Sequence, residues 1–504
     1  MHPIEDFFLS LFFNTPNLVM NHFTFKFTIT ILGVLFIFIA CQSTITPPKP
    51  LGPISTECQL AWHEMEQYAF VHFTTNTFTD KEWGFGDESE SVFNPTAMDV
   101  TQWTKTIKAA GLKGLVLTCK HHDGFCLWPS KYTEHSVKNS PYKNGKGNVV
   151  DEVEKACRVD GLKFGIYLSP WDRNRADYGS PSYVEYYRNQ LKELFAAHSP
   201  VFEMWFDGAN GGDGFYGGAR EQRKINGKTY YDWPTTLNLI RGLEPNVIFF
   251  SDAGPDIRWC GNERGFINET NWNTINTDTL YAGKGGINDL LNKGEENGTS
   301  WIPAEVDVSI RPGWFYHAKE DSLVKTPEQL FDIYLNSVGR GANLILNIPP
   351  DRRGLINEID VASLLGWKKL IDQRFSINLA LNKSSKASSF RGNSPVYGAG
   401  MAVDDNKETY WATNDQEKTG NLEIDLGENK LISYLMIQEF IQLGQRIKHF
   451  SIEIEKDGNW QEVANGTTIG YKRILRIQPV EAQKVRLVII DSKACPVISN
   501  IEIY

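Results

Sequence analysis

Paired cysteines are missing from this chain. It carries seven cysteines in 504 residues, and none forms a CxxC pair or a zinc-type spacing, which removes cysteine zinc sites and dithiol redox chemistry from consideration. The six beyond the N-terminal segment, Cys58, Cys119, Cys126, Cys157, Cys260 and Cys495, read as small buried hydrophobes, and no disulfide can be assigned among them. A basic excess is missing as well. The net charge is −10 and the pI is near 5.6, so the basic face of a nucleic-acid binder is not expected. No GxGxxG follows the first strand pattern, which counts against a dinucleotide fold. The strongest apolar run, TITILGVLFIFIA from Thr28 to Ala40, is too short to span a bilayer as a helix.

That run suits the apolar core of a secretory signal, with Lys26 as its charged flank. It ends in Phe38-Ile39-Ala40-Cys41, which resembles a bacterial lipobox with Cys41 as the lipidated first residue, although Phe stands where Leu is usual. Met20 makes a better start than Met1, because residues 20–41 alone form a complete lipoprotein signal. Residues 1–41 are therefore read as a leader and 42–56 as a polar, Pro-rich tether. The expected location is the periplasmic side or cell envelope, held to a membrane by a lipid without spanning it.

A chain this long implies two or more domains. Hydrophobic residues make up 41%, and the 14 Trp, 19 Tyr and 29 Phe are a high aromatic load. Aromatics build cores, and they also form platforms for sugar rings. From 57 to 375, apolar runs (YAFVHF, GLVLT, FGIYLS, FEMWFD, VIFFS, NLILNIP) alternate with amphipathic stretches. Asp99 and Thr326 are plausible helix N-caps, Gly111 a stop, and Pro327 a first-turn residue. Strands alternating with helices imply βα units. Six to eight such units over this length predict an α/β fold, a (β/α)8-like barrel. From 376 to 504 the pattern becomes short alternating runs, NLEIDLG to ISNIEIY, separated by turn residues, which predicts an antiparallel β-sandwich.

In the first domain the apolar runs end in polar and aromatic residues: His72, then His121-His122-Asp123, then Trp171-Asp172 with Tyr167 inside the run, then Asp207, then Asp252 leading on to Arg258, Trp259, Asn262 and Glu263. Such residues at successive strand ends describe an active-site rim. The rim is polar and aromatic, without a dense metal-ligand set, and suits a carbohydrate. Two carboxylates on different strands fit glycoside hydrolysis, where a retaining enzyme pairs an ionised nucleophile with a protonated acid. Asp207 is the nucleophile candidate, with Arg258 or nearby hydrogen bonds to keep it ionised. Glu263 is the acid/base candidate, with Trp259 and Phe266 to desolvate it. Glu269 and Glu305 compete for that role.

Eight motifs in order, HFTTNTF, EWGFG, CKHHDGFCLWPS, GIYLSPWDRN, EMWFDGANG, SDAGPDIRWCGNERG, SIRPGWFYH and NLILNIPPDRRG, resemble the α-L-fucosidases of glycoside hydrolase family 29. The PDIRWCGNERG block is similar to the subfamily that prefers branched α-1,3/1,4 fucosides of the Lewis type. The resemblance implies Asp207 as nucleophile, Glu263 as acid/base, His72, His121, His122, Tyr167 and Trp205 as fucose contacts, and Trp83 and Trp314 as pocket aromatics. Arg258 is added as a candidate substrate contact. No cofactor is needed for this chemistry. The stretch between Gly211 and Thr235 looks long for the family and bears on the aglycone side. In the second domain NLALNKSSKASS, AVDDNKETYWAT, NLEIDLG and ISNIEIY resemble the discoidin or coagulation factor V/VIII type C fold, also seen in a carbohydrate-binding module family. That resemblance implies a structural calcium near Asp405, closed by Glu502; a purely structural sandwich is the equal alternative. The expected function is an exported, retaining exo-α-L-fucosidase acting on α-1,3/1,4-linked fucose of oligosaccharide or glycoprotein glycans. The alternatives are a broad-specificity fucosidase and a non-catalytic fucose-binding protein.

Overall fold

In the computed structural model, which describes residues 45–504, the six apolar runs and two further segments become parallel strands: β1 Gln67–Val71, β2 Gly114–Lys120, β3 Lys163–Leu168, β4 Glu203–Trp205, β5 Ile248–Ser251, β6 Ile257–Trp259, β7 Ala304–Ser309 and β8 Asn343–Asn347. They close into an eight-stranded barrel, each strand beside its sequence neighbour and β8 beside β1. Cys41 and the expected leader lie outside the described residues. The end of the expected tether is docked: Leu51 N donates to Leu443 O at 3.0 Å, and Arg446 donates to Lys49 O at 2.7 Å.

The helices begin where capping chemistry allows. Asp99 accepts from Thr101 N and Gln102 N ahead of Val100–Ala109. Thr326 forms a capping box with Gln329 ahead of Pro327–Asn336. Each such cap satisfies backbone N–H groups that the helix itself leaves open. The circuit is helix-poor in one sector. Residues 252–256 alone join β5 to β6, and between β6 and β7 lie one short helix, Asn288–Lys293, and a two-stranded pair of Thr274–Ile275 with Ser300–Trp301.

Two strands, β6 (IRW) and β7 (AEVDVS), are absent from the apolar runs read in the sequence. The reason is strand alternation. Successive residues face opposite sides of a strand. In β7, Ala304, Val306 and Val308 pack outward against the helices, while Glu305, Asp307 and Ser309 alternate with them on the other face, so the strand does not read as apolar. The same alternation runs through the barrel. Ala69, Met204, Phe249 and Leu344 join the outer core; Tyr68, Phe70, Trp205, Phe250 and Ile345 join the inner one.

The N-terminal mouth of the barrel is plugged by the helix Glu57–His63. Trp62 Nε1 donates to Tyr68 Oη at 2.9 Å, Tyr68 Oη donates to Glu305, and Trp205 Nε1 donates to Glu305 Oε1 at 2.8 Å. Glu305 and Glu203 are fully buried here. Burial pushes both carboxyls up, and the charge of Glu305 pushes Glu203 further. Two carboxylates in one dry space cannot both be ionised cheaply, so the pair keeps a proton.

The C-terminal strands are β9 Ser384–Ala387, β10 Trp411–Ala412, β11 Gly420–Glu439, β12 Ile447–Lys456, β13 Asn459–Gly466, β14 Arg473–Ser492 and β15 Val497–Ile503. The pairing order is β10-β15-β11-β14-β12-β13, with β9 on β11. The pairs are antiparallel. The β11–β14 register breaks between Asp425 and Lys430 and again between Ile432 and Tyr434, and such irregularities bend long strands. Leu422, Ile424, Leu435, Phe450, Ile452 and Leu487 form the core of this β-sandwich.

Barrel and sandwich share a broad contact. Tyr434, Met436 and Ile474 of the sandwich belong to the barrel's outer core. Phe375 packs on Tyr434 and Tyr504, with ring centroids 5.4 and 5.1 Å away. Lys472 Nζ meets Glu66 Oε1 at 2.5 Å, and both side chains are largely withdrawn from water. Removing one partner of such a pair strands the other charge, at a cost of about 3–5 kcal/mol. Lys472→Met is expected to destabilise the protein by that amount in chemical denaturation. A loss under about 0.5 kcal/mol would mean that solvent already screens the pair.

Candidate active site

At the C-terminal end of the barrel the inward positions open into a cavity of about 370 Å³. Strand β4 delivers Asp207 two residues beyond its last paired residue, Trp205. Two donors fix the Asp207 carboxylate: Tyr167 Oη donates to Oδ2 at 2.9 Å, and Ala209 N donates to Oδ1 at 2.7 Å. Tyr167 reaches it because β3 and β4 pair in parallel, Tyr167 beside Trp205. Trp205 is locked from two sides, by Glu305 at its indole nitrogen and by Phe250 stacked at 4.0 Å and 11°.

The histidines are neutral. Burial pulls His72 down to about 3, His122 to about 4, and His121 well below its ordinary value, with the neighbouring His122 also lowering His121. Their tautomers follow from their partners. Asn347 spends its Nδ2 on Ser309 Oγ and Trp314 O. Its Oδ1 must therefore accept from His72 Nδ1 at 2.8 Å, which leaves His72 Nε2 as an acceptor. Ser169 Oγ donates to Trp171 O at 2.6 Å, so it accepts from His122 Nδ1 at 2.7 Å. The lone pair of His122 Nε2 then lies 3.8 Å from Asp207 Oδ2, available to a ligand hydroxyl. Asp123 holds the loop that carries His121 and His122, accepting from Thr74 and Thr75 Oγ1 at 2.7 and 2.8 Å.

Glu263 stands at the mouth, beyond β6. Its Oε2 accepts from Trp314 Nε1 at 3.2 Å. Desolvation, and then the charge of Asp207, push its carboxyl above the usual range, while the Trp314 bond pulls the other way. Glu82 ties the surrounding loops together. It accepts from Trp314 N at 2.8 Å and Phe315 N at 3.2 Å, and its Oε1 lies 2.6 Å from His317 Nε2. This clamp holds Trp314 at the pocket, which Trp83 also lines; the Trp83 carbonyl accepts from Arg173 at 3.2 Å.

The cavity thus gathers His72, Trp83, His121, His122, Tyr167, Trp205, Asp207, Glu263 and Trp314. Arg258 is a correction. It sits between Ile257 and Trp259, so strand alternation turns it away from the pocket. It is fully buried and donates to the carbonyls of Leu291, Ile302 and Trp272 and to Asn271 Oδ1. It braces the loop after β6 and touches neither Asp207 nor the cavity. The two rivals for the acid role are also elsewhere: Glu269 pairs with Arg473 at 2.6 Å at the sandwich contact, and Glu305 lies inside the barrel below the pocket.

Of the remaining cavity carboxyls, Asp307 escaped the reading of the sequence, and Asp252 was read at the rim without a role. Asp307 lines the cavity and accepts from Trp259 Nε1 at 2.8 Å. Burial, then the nearby Glu263, push it well up. Asp252 also lines the cavity, and burial, followed by the charge of Asp207, raises it to about 6 despite a bond from Gly283 N at 2.7 Å. An added Cβ at Gly208 would stand 2.1 Å from Asp252 Oδ2, so a larger residue there would push the Asp252 carboxyl aside. Alternation would have found Asp307 once β7 was recognised as a strand.

In the sandwich, Asp405 and Glu502 line one cavity of about 250 Å³ with Asn406 and Asn500, but also with Lys407 and Lys472. Glu66 lines the same cavity, bonded to Lys472, and among the described residues these carboxylates do not form a group of three with ligand atoms within 4.8 Å of one another.

Comparison with known proteins agrees with this geometry. The alpha-L-fucosidase family model matches residues 51–371, and the F5/8 type C domain model matches residues 383–502. Alpha-L-fucosidase 1 of Arabidopsis thaliana is 40% identical over 91% of this chain and 88% of its own length. A putative alpha-L-fucosidase from Bacteroides thetaiotaomicron superposes with a TM-score of 0.84 at 41% identity, over 91% of this chain and 99% of that one. A Ruminococcus gnavus GH29 fucosidase solved in complex with fucose gives a TM-score of 0.82 at 34% identity, over 92% and 97% of the two chains.

The carboxyl cluster is directly testable by carbon-13 NMR. Asp252 should titrate near 6 in the wild type. In Asp207→Asn the midpoint should fall, because a repelling charge has gone. An unchanged midpoint would mean that burial alone sets it.

Proposed function

The chain belongs to the α-L-fucosidases of glycoside hydrolase family 29, and on that premise we propose that it is a retaining exo-enzyme with Asp207 as nucleophile and Glu263 as acid/base. The observation that carries this reading is the meeting of the two side chains, from the ends of different strands, in one cavity. Asp207 attacks the anomeric carbon of fucose while the bond from that carbon to the leaving oxygen breaks. Glu263 passes its proton to that oxygen, and the aglycone departs. Water then attacks the same carbon, gives a proton to Glu263, and the ester bond to Asp207 breaks. The electrostatics support the change of role. The charge of Asp207 helps keep Glu263 protonated. That charge disappears when Asp207 becomes an ester, so Glu263 becomes more acidic and is ready to serve as the base.

Neutral His72 and His122 present ring nitrogens as acceptors for sugar hydroxyls, and Trp83, Trp205 and Trp314 offer apolar faces. The preferred substrate in this reading is terminal α-1,3/1,4-linked fucose on a branched, Lewis-type glycan, a preference that rests on the PDIRWCGNERG block. Trp259 and Glu263 of that block line the cavity. The long segment after Asp207 forms a hairpin, Gly212–Gly214 with Glu221–Arg223, and Arg173 ties it to the Trp83 loop through Asp213 at 2.8 Å. It flanks the side where an aglycone would lie. For the second domain we propose a structural Ca²⁺ held by Asp405 and Glu502 with neighbouring oxygens, and for the whole chain export with lipidation at Cys41.

Asp207→Ala should lose at least about 10³-fold in kcat, and azide should restore turnover and give fucosyl azide of inverted configuration. Rescue without that product would remove Asp207 from the nucleophile role. Fucose release should be faster from a Lewis trisaccharide than from 2′-fucosyllactose or an aryl fucoside; equal rates would mark a broad-specificity enzyme. Activity should fall as pH rises through the raised value of Glu263, since the proton donor is lost there. Glu263→Gln should abolish that alkaline limb.

A further inference from the structure

Outside the pocket, Asp151, Glu154 and His198 bring one ligand atom each to within 4.8 Å of one another, the single group of three such side chains among the described residues. From this juxtaposition we infer a second, non-catalytic site on the outside of the barrel, one that binds a divalent transition cation of the Zn²⁺ type.

The helix Val149–Asp160 carries the two carboxylates. Asp151 and Glu154 are three residues apart, so they share one face of it. His198 comes from the end of the next helix, Pro181–Ala197, where it is the C-cap residue. A cation here would join two consecutive helices of the outer ring.

The imidazole is the second, independent observation. His198 is only 2% exposed. Its Nδ1 is shut off from solvent without a hydrogen-bond partner, and neither ring nitrogen is held by any side chain or carbonyl of the described residues. Buried polar nitrogens are normally satisfied. Two carboxylates beside an imidazole would ordinarily take a hydrogen bond from it, yet neither does. Burial also lowers the proton affinity of the ring, against the pull of Glu154 and Asp151. A neutral imidazole with a free lone pair beside two carboxylates is a ligand set for zinc, whose bonds to nitrogen and oxygen run about 2.0–2.2 Å. An imidazole ligand argues against Ca²⁺ or Mg²⁺, which prefer oxygen donors.

The carboxylates are already paired with cations of their own helix. Lys155 Nζ lies 2.7 Å from Asp151 Oδ2, and Arg158 bonds Glu154. Those cations are 68% and 53% exposed, and Arg158 also donates to Ser199 O, so both keep water or a carbonyl as an alternative partner. A bound divalent ion can displace them into solvent.

The test is to strip the full chain with EDTA, remove the chelator, and titrate with Zn²⁺ alone by calorimetry, alongside thermal unfolding. The expected result is saturable binding of one ion per chain and a rise in Tm with Zn²⁺ but not with Ca²⁺. His198→Gln should abolish the binding. Asp151→Asn, at a partly exposed helix position that does not threaten folding, should weaken it by at least about tenfold. Absence of saturable binding, or unchanged binding in Asp151→Asn, would overturn the site. Fucosidase activity serves only as a folding check for the variants, so failure here leaves the catalytic reading untouched.

Discussion

Closure of eight strands into a barrel forces every second side chain into one shared interior, and the rest of this molecule is organised around that constraint. An eight-stranded barrel is filled by side chains rather than hollow. At the N-terminal end the interior is sealed by Trp62 and a hydrogen-bonded chain through Tyr68, Glu305 and Trp205. At the C-terminal end the same inward positions run out of strand and open into the pocket. The floor of the active site is therefore continuous with the barrel's packing. Trp205 is anchored below by Glu305 and Phe250, and Asp207 follows it by two residues on the same face. Asp207 inherits its position from this buried network, of which only Trp205 reaches the cavity.

The electrostatics of the pocket follow from the same closure. Asp207, Asp252, Glu263 and Asp307 share a space partly withdrawn from water, with three histidines that burial keeps neutral. With no cation among the lining residues, the carboxyls cannot all be charged. Burial raises the carboxyls of Asp252, Glu263 and Asp307, and the charge of Asp207 on Asp252 and Glu263, and of Glu263 on Asp307, raises them further. The proposed division of roles between Asp207 and Glu263 needs their environments to differ. Here the difference comes from two firm donors on Asp207 against a single long indole bond on Glu263.

The sandwich is more than an appendage in this arrangement. It contributes Tyr434, Met436 and Ile474 to the barrel's outer core, and it holds the loop after β6 through Thr468, Gln445 and Arg473. That loop carries Glu263 and is braced from the other side by Arg258. The helix-poor sector between β5 and β7 thus leans on the second domain where other sectors lean on their own helices.

Much of this was legible in the sequence. The alternation of strands and helices, the caps at Asp99 and Thr326, the change of texture after 375 and the row of polar residues at strand ends all rest on local spacing, which any short stretch of chain carries within itself. The order of eight motifs was enough to name the family. Tertiary structure alone decided the rest. Arg258 looked like a pocket residue because it lies five positions before Glu263, but strand alternation sends it outward. Asp307 and β7 were hidden because a barrel interior accepts carboxyls that ordinary strand patterning treats as exposed. Glu305 and Glu263 are both glutamates beside strands, and only barrel closure puts one in the floor and the other at the mouth. Spacing along the chain fixes which residues share a face; which face meets the solvent, the core or a substrate is fixed only when distant strands close on one another.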